Sequence, residues 1–395
     1  MNVSVLGLGY IGLPTSIILA LNGHKVKGFD VSGEVVASLN EGHIHIVENG
    51  LQELFETVVG SGMFKAYSDL QESDVYVIAV PTPFKEGYDE KIADLSYVES
   101  AARSVAQKLK PGALVILEST VPPGTTRKMT ELIERESGLP RELFFTAHCP
   151  ERVLPGNIVF EMENNDRIIG AERNESAVKA KELYESFLRN GHVLVTDDVT
   201  AEMCKLVENS YRDVNIAFAN ELSIICDKLG INARELINLA NRHPRVNILA
   251  PGIGVGGHCL AVDPYFIVSE FKQEAKLIDM ARKVNVSKPY YISEKIEKLL
   301  KQDKGKVVTI LGMSYKPDID DFRESPSVVL AKVLKEKGYT VNGCDPNTDA
   351  DNLFGIDMIS LDKALKESNL LVLAQRHKEF IKRSDELKNA NCLCV

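Results

Sequence analysis

The sequence predicts an α/β protein in three parts: an N-terminal Rossmann domain, a central helical domain with one long helix, and a C-terminal Rossmann-like α/β domain. Three observations predict it. Apolar strand segments alternate with helical segments from the N-terminus to near Val195. A helical pattern of about 30 residues follows, TAEMCKLVENSYRDVNIAFANELSIICDKLG. After the polar stretch Lys301–Gly305, KVVTILG opens a second alternating unit. The expected domains are 1–196, 197–300 and 301–395.

The elements follow in order. NVSVL lacks alternation and precedes Gly7, as a parallel strand buried on both faces does. Gly7-Leu8-Gly9-Tyr10-Ile11-Gly12 leads into an apolar helix to Leu21, with Gly23 past its end. Lys25–Phe29 is a strand ending at Asp30. Further strands are expected at Val75–Val80, Leu114–Leu117, Leu143–Thr146, Arg167–Ile169 and His192–Val195. Helices lie between most of them, such as Tyr97–Leu109 and Ala177–Leu188. Thr200 or Asp198 caps the long helix and Gly230 ends it. A helix this long spans domains or forms a dimer contact, and Leu206, Val207, Ile216 and Phe218 point to packing along it. A helix at 232–242 precedes the glycine-rich stretch PGIGVGGHCLAVDPYF, Pro251 to Phe266, which reads as a loop. Helical residues Ala275–Leu300 come next. In the tail a helix is expected over Ser325–Lys337, with strands at Thr340–Gly343 and Asn369–Leu373.

Length and composition narrow the function. A chain of 395 residues with 44% hydrophobic and 26% charged residues supports two or three domains with sizeable cores. A net charge of −10 argues against a nucleic-acid or anionic-membrane partner, so an anionic substrate needs a local cluster of Lys and Arg. No apolar run approaches the roughly 18 residues of a membrane span. The N-terminus enters a strand directly, so no signal peptide is expected, and the expected compartment is reducing cytosol. The seven cysteines are scattered without a C-x-x-C pair, and no metal site is expected. Cys392 and Cys394 would share one strand face, where burial is the expectation.

Gly7-x-Gly9-x-x-Gly12 follows a strand, opens a helix, and has Asp30 ending the next strand. In that context the glycines admit a pyrophosphate to the helix N-terminus and Asp30 accepts from a ribose 2′-OH. Residues 31–34 are Val, Ser, Gly and Glu, with no base for a 2′-phosphate, so the expected cofactor is NAD. AVPTPF with Thr82, and ESTVPP with Thr120, each end a strand where open α/β sheets bind ligands; each is also compatible with an ordinary turn. Lys205 and Asn209 share one helix face, as a solvated pair or as a cation and amide aimed at a reacting oxygen. In Cys149-Pro150-Glu151-Arg152, Glu151 is a base or a helix-start carboxylate. Cys259 is either a nucleophile or a small buried hydrophobe. Lys316 and Arg323 suit a diphosphate, unless Arg323 pairs with Glu324 on the surface.

Together these pieces resemble the UDP-glucose dehydrogenase family of nucleotide-sugar 6-dehydrogenases along essentially the whole chain. The most specific element is Gly254-x-Gly256-Gly257-x-Cys259-x-x-x-Asp263. GGHC with AVDPYF, HCPERVLPG at His148–Gly156 and NRHPRVN at Asn241–Asn247 look like the N-acetylmannosamine branch. The glucose and N-acetylglucosamine branches are the alternatives. The resemblance implies four-electron oxidation of C6 in two NAD-dependent steps, through a cysteine thiohemiacetal and thioester, for surface polysaccharide precursors. It implies Cys259 as nucleophile, Lys205 and Asn209 at the oxyanion, Asp263 ordering a water, and Thr120 and Glu151 as further catalytic members. It places Gly7, Gly9, Tyr10, Ile11, Gly12, Asp30, Thr82, Thr120 and Arg323 at the cofactor. It places Glu151, Arg152, Lys205, Asn209, Arg245, Asn247, Gly256, His258, Tyr265, Phe266 and Lys316 at the sugar nucleotide. It further implies a homodimer through the long helix, with Arg245 lent to the partner site. His258 either favours the thiolate, binds the acetamido group, or is a plain loop residue. Family members usually continue past Val395, so the tail domain is expected to be shortened. More remote readings are a two-electron hydroxyacid dehydrogenase resembling the 6-phosphogluconate type, and a non-catalytic nucleotide-binding protein.

Overall fold

The first strand, β1 (Asn2–Leu6), buries Val3, Ser4, Val5 and Leu6 together, and this two-sided burial is why its sequence does not alternate. The computed structural model describes residues 1–46, 48–88, 90–153, 156–303 and 305–395. They form two units, Met1–Val207 and Glu208–Val395.

In the first unit β1 is followed by α1 (Gly12–Leu21), β2 (Lys25–Phe29), α2 (Gly33–Asn40), α3 (Leu51–Gly60), β3 (Phe64–Tyr67), β4 (Val75–Ile78), α4 (Ser96–Ala106), β5 (Leu114–Leu117), α5 (Thr125–Ser137), β6 (Phe145–His148), α6 (Ile158–Asn164), β7 (Arg167–Gly170), α7 (Asn174–Glu185) and β8 (Val193–Thr196). The strands make one sheet in the order β3-β2-β1-β4-β5-β6-β7-β8. Pairing is parallel from β3 to β6 and between β7 and β8, with one antiparallel joint where His148 of β6 meets Gly170 of β7. Strand residues alternate between two apolar clusters: Val75 and Val77 join Leu13, Ile17 and Phe55, while Tyr76 and Ile78 join Val98, Val105 and Ile133. Each such side chain contributes roughly 1.5–3 kcal/mol when fully buried.

The strand expected at Leu143–Thr146 lies further on. Arg141–Leu143 is a 3₁₀ turn after Pro140, with Leu143 46% exposed, and β6 starts at Phe145. The register is set where Phe145 N donates to Ala113 O at 2.9 Å.

The long helix α8 (Asp198–Leu229) belongs to both units, so Lys205 lies in the first and Asn209 in the second. The packing expected along it holds for Leu206 but not for Val207 and Phe218, each 50% exposed. Tyr211, Phe218, Ile225 and Leu229 form an exposed apolar stripe at spacings of seven, seven and four. Then come α9 (Ala233–Ala240), α10 (Asp263–Glu270) and α11 (Lys276–Leu299). The stretch read as a loop to Phe266 ends earlier, because α10 begins at Asp263. Pro264 supplies a preset φ in its first turn, where a missing N–H costs nothing.

The tail has β9 (Val307–Leu311), α12 (Pro326–Glu336), β10 (Thr340–Cys344), β11 (Asn352–Leu353), β12 (Ile356–Met358), α13 (Leu361–Glu367), β13 (Leu370–Leu373), α14 (Lys378–Lys382), α15 (Ser384–Asn389) and β14 (Cys392–Cys394). Its sheet runs β11-β12-β10-β9-β13-β14, parallel except for the β11–β12 hairpin. Cys394 is exposed and Cys392 half-buried, against the expected burial of both, because β14 is an edge strand. The α/β class and its helical centre are as the sequence predicts.

Candidate active site

The sheet order of the first unit reverses at β1, and the glycine turn sits at that switch point, beyond the strand's carboxyl end. Gly7 has φ +88°, and its N–H donates to Phe29 O at 2.9 Å. A Cβ on Gly12 would stand 1.8 Å from Gly7 O, so the turn excludes one. Gly9 differs: a Cβ there would meet nothing within 4 Å. Its lack of a side chain therefore keeps open the space in front of α1, whose N-terminus carries no side-chain cap. Asp30 Oδ2 accepts from Leu8 N and Oδ1 from Ser32 N, both at 2.9 Å, which fixes the carboxylate beside the turn. Thr82 Oγ1 donates to Thr120 O at 2.8 Å, joining the loops after β4 and β5. Tyr10 is 36% exposed at the turn. An open cradle, an uncapped helix start and a fixed carboxylate are the features a dinucleotide needs.

In the second unit the cysteine loop is anchored at both ends. Gly252 N donates to Asn220 Oδ1 at 2.9 Å, and Asn220 is held by Asn285, which also bonds Asp213. Arg282 pairs with buried Asp213 at 2.6 Å and lies over the Tyr265 ring. At the far end Asp263 N donates to Cys259 O at 2.8 Å. Asn209 Nδ2 donates to Asp263 Oδ2 at 2.5 Å. Two of the glycines serve the protein's own packing. A Cβ on Gly256 would stand 2.5 Å from Glu324 O, and one on Gly257 2.7 Å from the Tyr315 ring. Cys259 is exposed, so the buried-hydrophobe reading does not apply to it.

The glycine turn is built a second time in the tail. Gly312 has φ +92° and donates to Cys344 O at 2.8 Å, while Asp345 Oδ2 accepts from Met313 N and Ser314 N at 2.8 and 3.0 Å. Asp345 is not open as Asp30 is. His377 Nε2 lies 3.2 Å from it, with both side chains fully buried. Nδ1 of the same ring accepts from Asp318 N at 2.9 Å, so His377 braces the loop that carries exposed Lys316. Arg323 pairs with Asp321 at 2.7 Å rather than with Glu324.

Residues 1–188 match the NAD-binding domain of the UDP-glucose/GDP-mannose dehydrogenase family, residues 199–287 its central domain, and residues 309–392 its UDP-binding domain. The chain belongs to that family. It is an NAD-dependent nucleotide-sugar dehydrogenase. It is 48% identical to the UDP-N-acetyl-D-mannosamine dehydrogenase of Campylobacter jejuni, over 98% of both chains. It is 45% identical to the NDP-N-acetyl-D-galactosaminuronic acid dehydrogenase of Ralstonia nicotianae, over 96% of this chain and 92% of that one. The solved UDP-D-ManNAc dehydrogenase from Pyrococcus horikoshii matches with a TM-score of 0.91 and 40% identity, over 99% of this chain and 93% of that one.

In this dehydrogenase Glu151 is neither exposed nor at a helix start. Its Oε1 accepts from Arg152 N and Val153 N at 2.6 and 3.2 Å, and its Oε2 from Arg167 at 3.0 Å, all on buried or half-buried groups. Arg167 stacks on Tyr184 and Phe187, and Tyr184 donates to Glu118 at 2.6 Å. Thr15 of α1 donates to the other Glu118 oxygen at 3.2 Å, so the network braces the nucleotide helix. Burial, then the nearby Glu151 charge, pushes Glu118 up to about 7. Burial also pushes Cys149 up to about 12 and His148 down to about 3. Sequence reasoning missed Glu118, Arg167 and Tyr184. Glu118 opens the ESTVPP motif, but its partners come from two other elements. Glu202 was also missed; it accepts from Gly124 N, Thr126 N and Thr126 Oγ1 at 2.5–2.7 Å and so caps α5 from α8.

Of the remaining candidates, Arg152 donates to Asp166 O at 3.0 Å, Arg245 and Asn247 are exposed, Tyr265 is half-buried, and Phe266 is fully buried. No helix among the described residues is long and apolar enough to cross a membrane.

Proposed function

We propose that this dehydrogenase oxidises C6 of UDP-N-acetylmannosamine to the uronate in two successive steps. The observation that carries the mechanism is Cys259, exposed on a loop whose next turn is Asp263, itself bonded to Asn209. NAD, held by Gly7, Gly9, Gly12 and Asp30, supplies the hydride acceptor. Cys259 adds to the C6 aldehyde as a thiohemiacetal and keeps the carbon bound through the second oxidation as a thioester. Lys205 and Asn209, one helical turn apart on α8, offer an ammonium and an amide to the C6 oxygen. Asp263 orders the water that hydrolyses the thioester. Thr120 and Glu151 are further members, Glu151 acting through the backbone turn it holds. Lys316 and Arg323 offer the cations for the diphosphate, with Arg245 supplied to a partner copy. The mannosamine branch is supported by the relatives at 48% and 46% identity that carry that name.

The same reading makes the protein a cytoplasmic homodimer that supplies surface polysaccharide precursors. The exposed stripe of Tyr211, Phe218, Ile225 and Leu229 supports pairing through α8.

The test is a panel of UDP-N-acetylmannosamine, UDP-N-acetylglucosamine, UDP-N-acetylgalactosamine and UDP-glucose, read as NADH formed per sugar. The expected result is two NADH per UDP-N-acetylmannosamine, with the highest kcat/KM of the panel. One NADH per sugar, or a Cys259→Ser variant with full turnover, overturns the mechanism. Preference for another sugar overturns only the branch.

A further inference from the structure

The turn at Gly312 has the backbone of a nucleotide turn, but its acidic residue is engaged inside the fold. Asp345 Oδ2 accepts from Met313 N and Ser314 N at 2.8 and 3.0 Å, and Oδ1 accepts from Asn347 N at 3.0 Å. His377, directly before α14, places Nε2 3.2 Å from Oδ2, with no exposure on either side chain. A ribose cannot reach a carboxylate enclosed in this way, so the pair serves something else.

The same ring brackets Lys316. Its Nδ1 faces two donors, Asp318 N and Asn347 Nδ2, both at 2.9 Å. Nδ1 therefore accepts, and the ring proton sits on Nε2. Nε2 lies 3.3 Å from Ser314 Oγ, and that hydroxyl donates to Lys316 O at 2.9 Å. One imidazole thus holds the carbonyl of Lys316 through Ser314 and the N–H of Asp318 directly. Pro317 lies between them, with its own φ fixed and helical backbone disfavoured at Lys316. Asp318 has φ +61°, a left-handed conformation uncommon outside glycine. Its bond to His377, and the bond from Lys378 N to its Oδ1 at 2.9 Å, hold it there. Gln375 Nε2 adds a further tie, donating to Tyr315 O at 3.1 Å. The loop backbone is therefore pinned from Asp345, Gln375, His377 and Lys378, while Lys316 itself stays exposed.

Building on the reading of Lys316 as a cation for the UDP diphosphate, we propose that His377 is the positioning residue of that lysine. The tail uses the His377–Asp345 pair to preset the backbone on which Lys316 stands. A lysine is a point charge on a flexible four-carbon stem, so its hold on a phosphate depends on where that stem is rooted. Burial opposes ionisation of Asp345, but hydrogen bonding from His377, Ser314 N and Asn347 N holds it below the usual carboxylate range. Its charge then stands beside Nε2–H and favours the tautomer that the loop requires.

The test is UDP binding to the full-length chain by isothermal titration calorimetry, with neither NAD nor a sugar present, in a double-mutant cycle of His377→Leu and Lys316→Ala. Lys316→Ala is expected to weaken UDP about tenfold or more. His377→Leu is expected to weaken it about three- to tenfold, by loosening the root of the lysine. In the Lys316→Ala background the same His377→Leu change should cost less than about twofold, because the group it positions is gone. NAD affinity, titrated separately, should stay within about twofold of wild type in every variant. UDP affinity kept within about twofold in His377→Leu overturns the proposal and leaves the role of Lys316 standing. A His377→Leu loss that persists undiminished without Lys316, or that NAD shares equally, also overturns it, since a general loosening would act that way. Unchanged UDP affinity in Lys316→Ala removes the lysine from the diphosphate and the proposal with it. Should His377→Leu fail to fold, Ser314→Ala decides by the same cycle. It cuts the tie to the Lys316 carbonyl alone, with an expected loss of about threefold.

Discussion

Asn209 Nδ2 lies 2.5 Å from Asp263 Oδ2, which ties the middle of the long helix α8 to the first residue of α10, one turn beyond Cys259. Both side chains are buried. Asn209→Ala removes a hydrogen bond to a buried carboxylate. The expected loss is about 1–3 kcal/mol of stability by urea unfolding. Because the same amide faces the reaction under the proposed mechanism, kcat should fall by about 10² or more. A variant with near-normal kcat would confine Asn209 to holding Asp263.

Gly9 and Gly12 are expected to respond in opposite ways. Gly12→Ala places a Cβ 1.8 Å from Gly7 O and should prevent the first unit from folding into this turn. Gly9→Ala meets no neighbour within 4 Å. Its unfolding free energy should stay within about 0.5 kcal/mol of wild type, while NAD affinity, measured by isothermal titration calorimetry, falls at least about tenfold. Unchanged NAD affinity in Gly9→Ala would remove the glycine turn from the cofactor site.

Glu118 gives the first unit a pH dependence with a definite sign. Its ordinary value is 4.5, and burial and the Glu151 charge raise it to about 7 in the folded protein. Between those values the folded state keeps a proton the unfolded chain has lost. The stability this group contributes is therefore complete below about 4.5 and lost as pH rises through about 7. Glu118→Gln cannot titrate. The unfolding free energy of the variant minus that of wild type should rise between pH 4.5 and pH 8, by up to about 3 kcal/mol. A difference that stays constant across that range contradicts the raised carboxyl.

Arg167 is 5% exposed and pairs with Glu151 at 6%. Arg167→Met removes one charge and leaves the other buried. The expected cost is about 3–5 kcal/mol by chemical denaturation. Glu151 would also lose the partner of its second carboxylate oxygen while keeping its bonds to Arg152 N and Val153 N, so a change in kcat beyond the stability effect would support its catalytic membership.

Much of this architecture is legible in the sequence because it is local. The Gly7–Gly12 turn, Asp30 at the next strand end, the periodicity of α8 and the Gly254–Asp263 spacing are each written within a few tens of residues. Backbone sterics and hydrophobic period convert the first three into a fold class and a dinucleotide turn, while Cys259 as nucleophile rests on the family resemblance that the last of them carries. The start of α10 was also written locally, in Asp263-Pro264, but the glycines before it drew the stretch toward a loop reading.

Tertiary structure alone decided which distant groups meet. Glu118 finds Tyr184 and Thr15, Asp345 is closed off by His377, and Asp321 stands beside His258. It also packs Gly256 and Gly257 closely against Glu324 and Tyr315. The physical reason is that a buried polar group must be satisfied by whatever the fold delivers to it, often from scores of residues away. One-dimensional spacing carries no record of that partner, so the sequence by itself determined the scaffold and the reactive residue types, while the fold determined their partners.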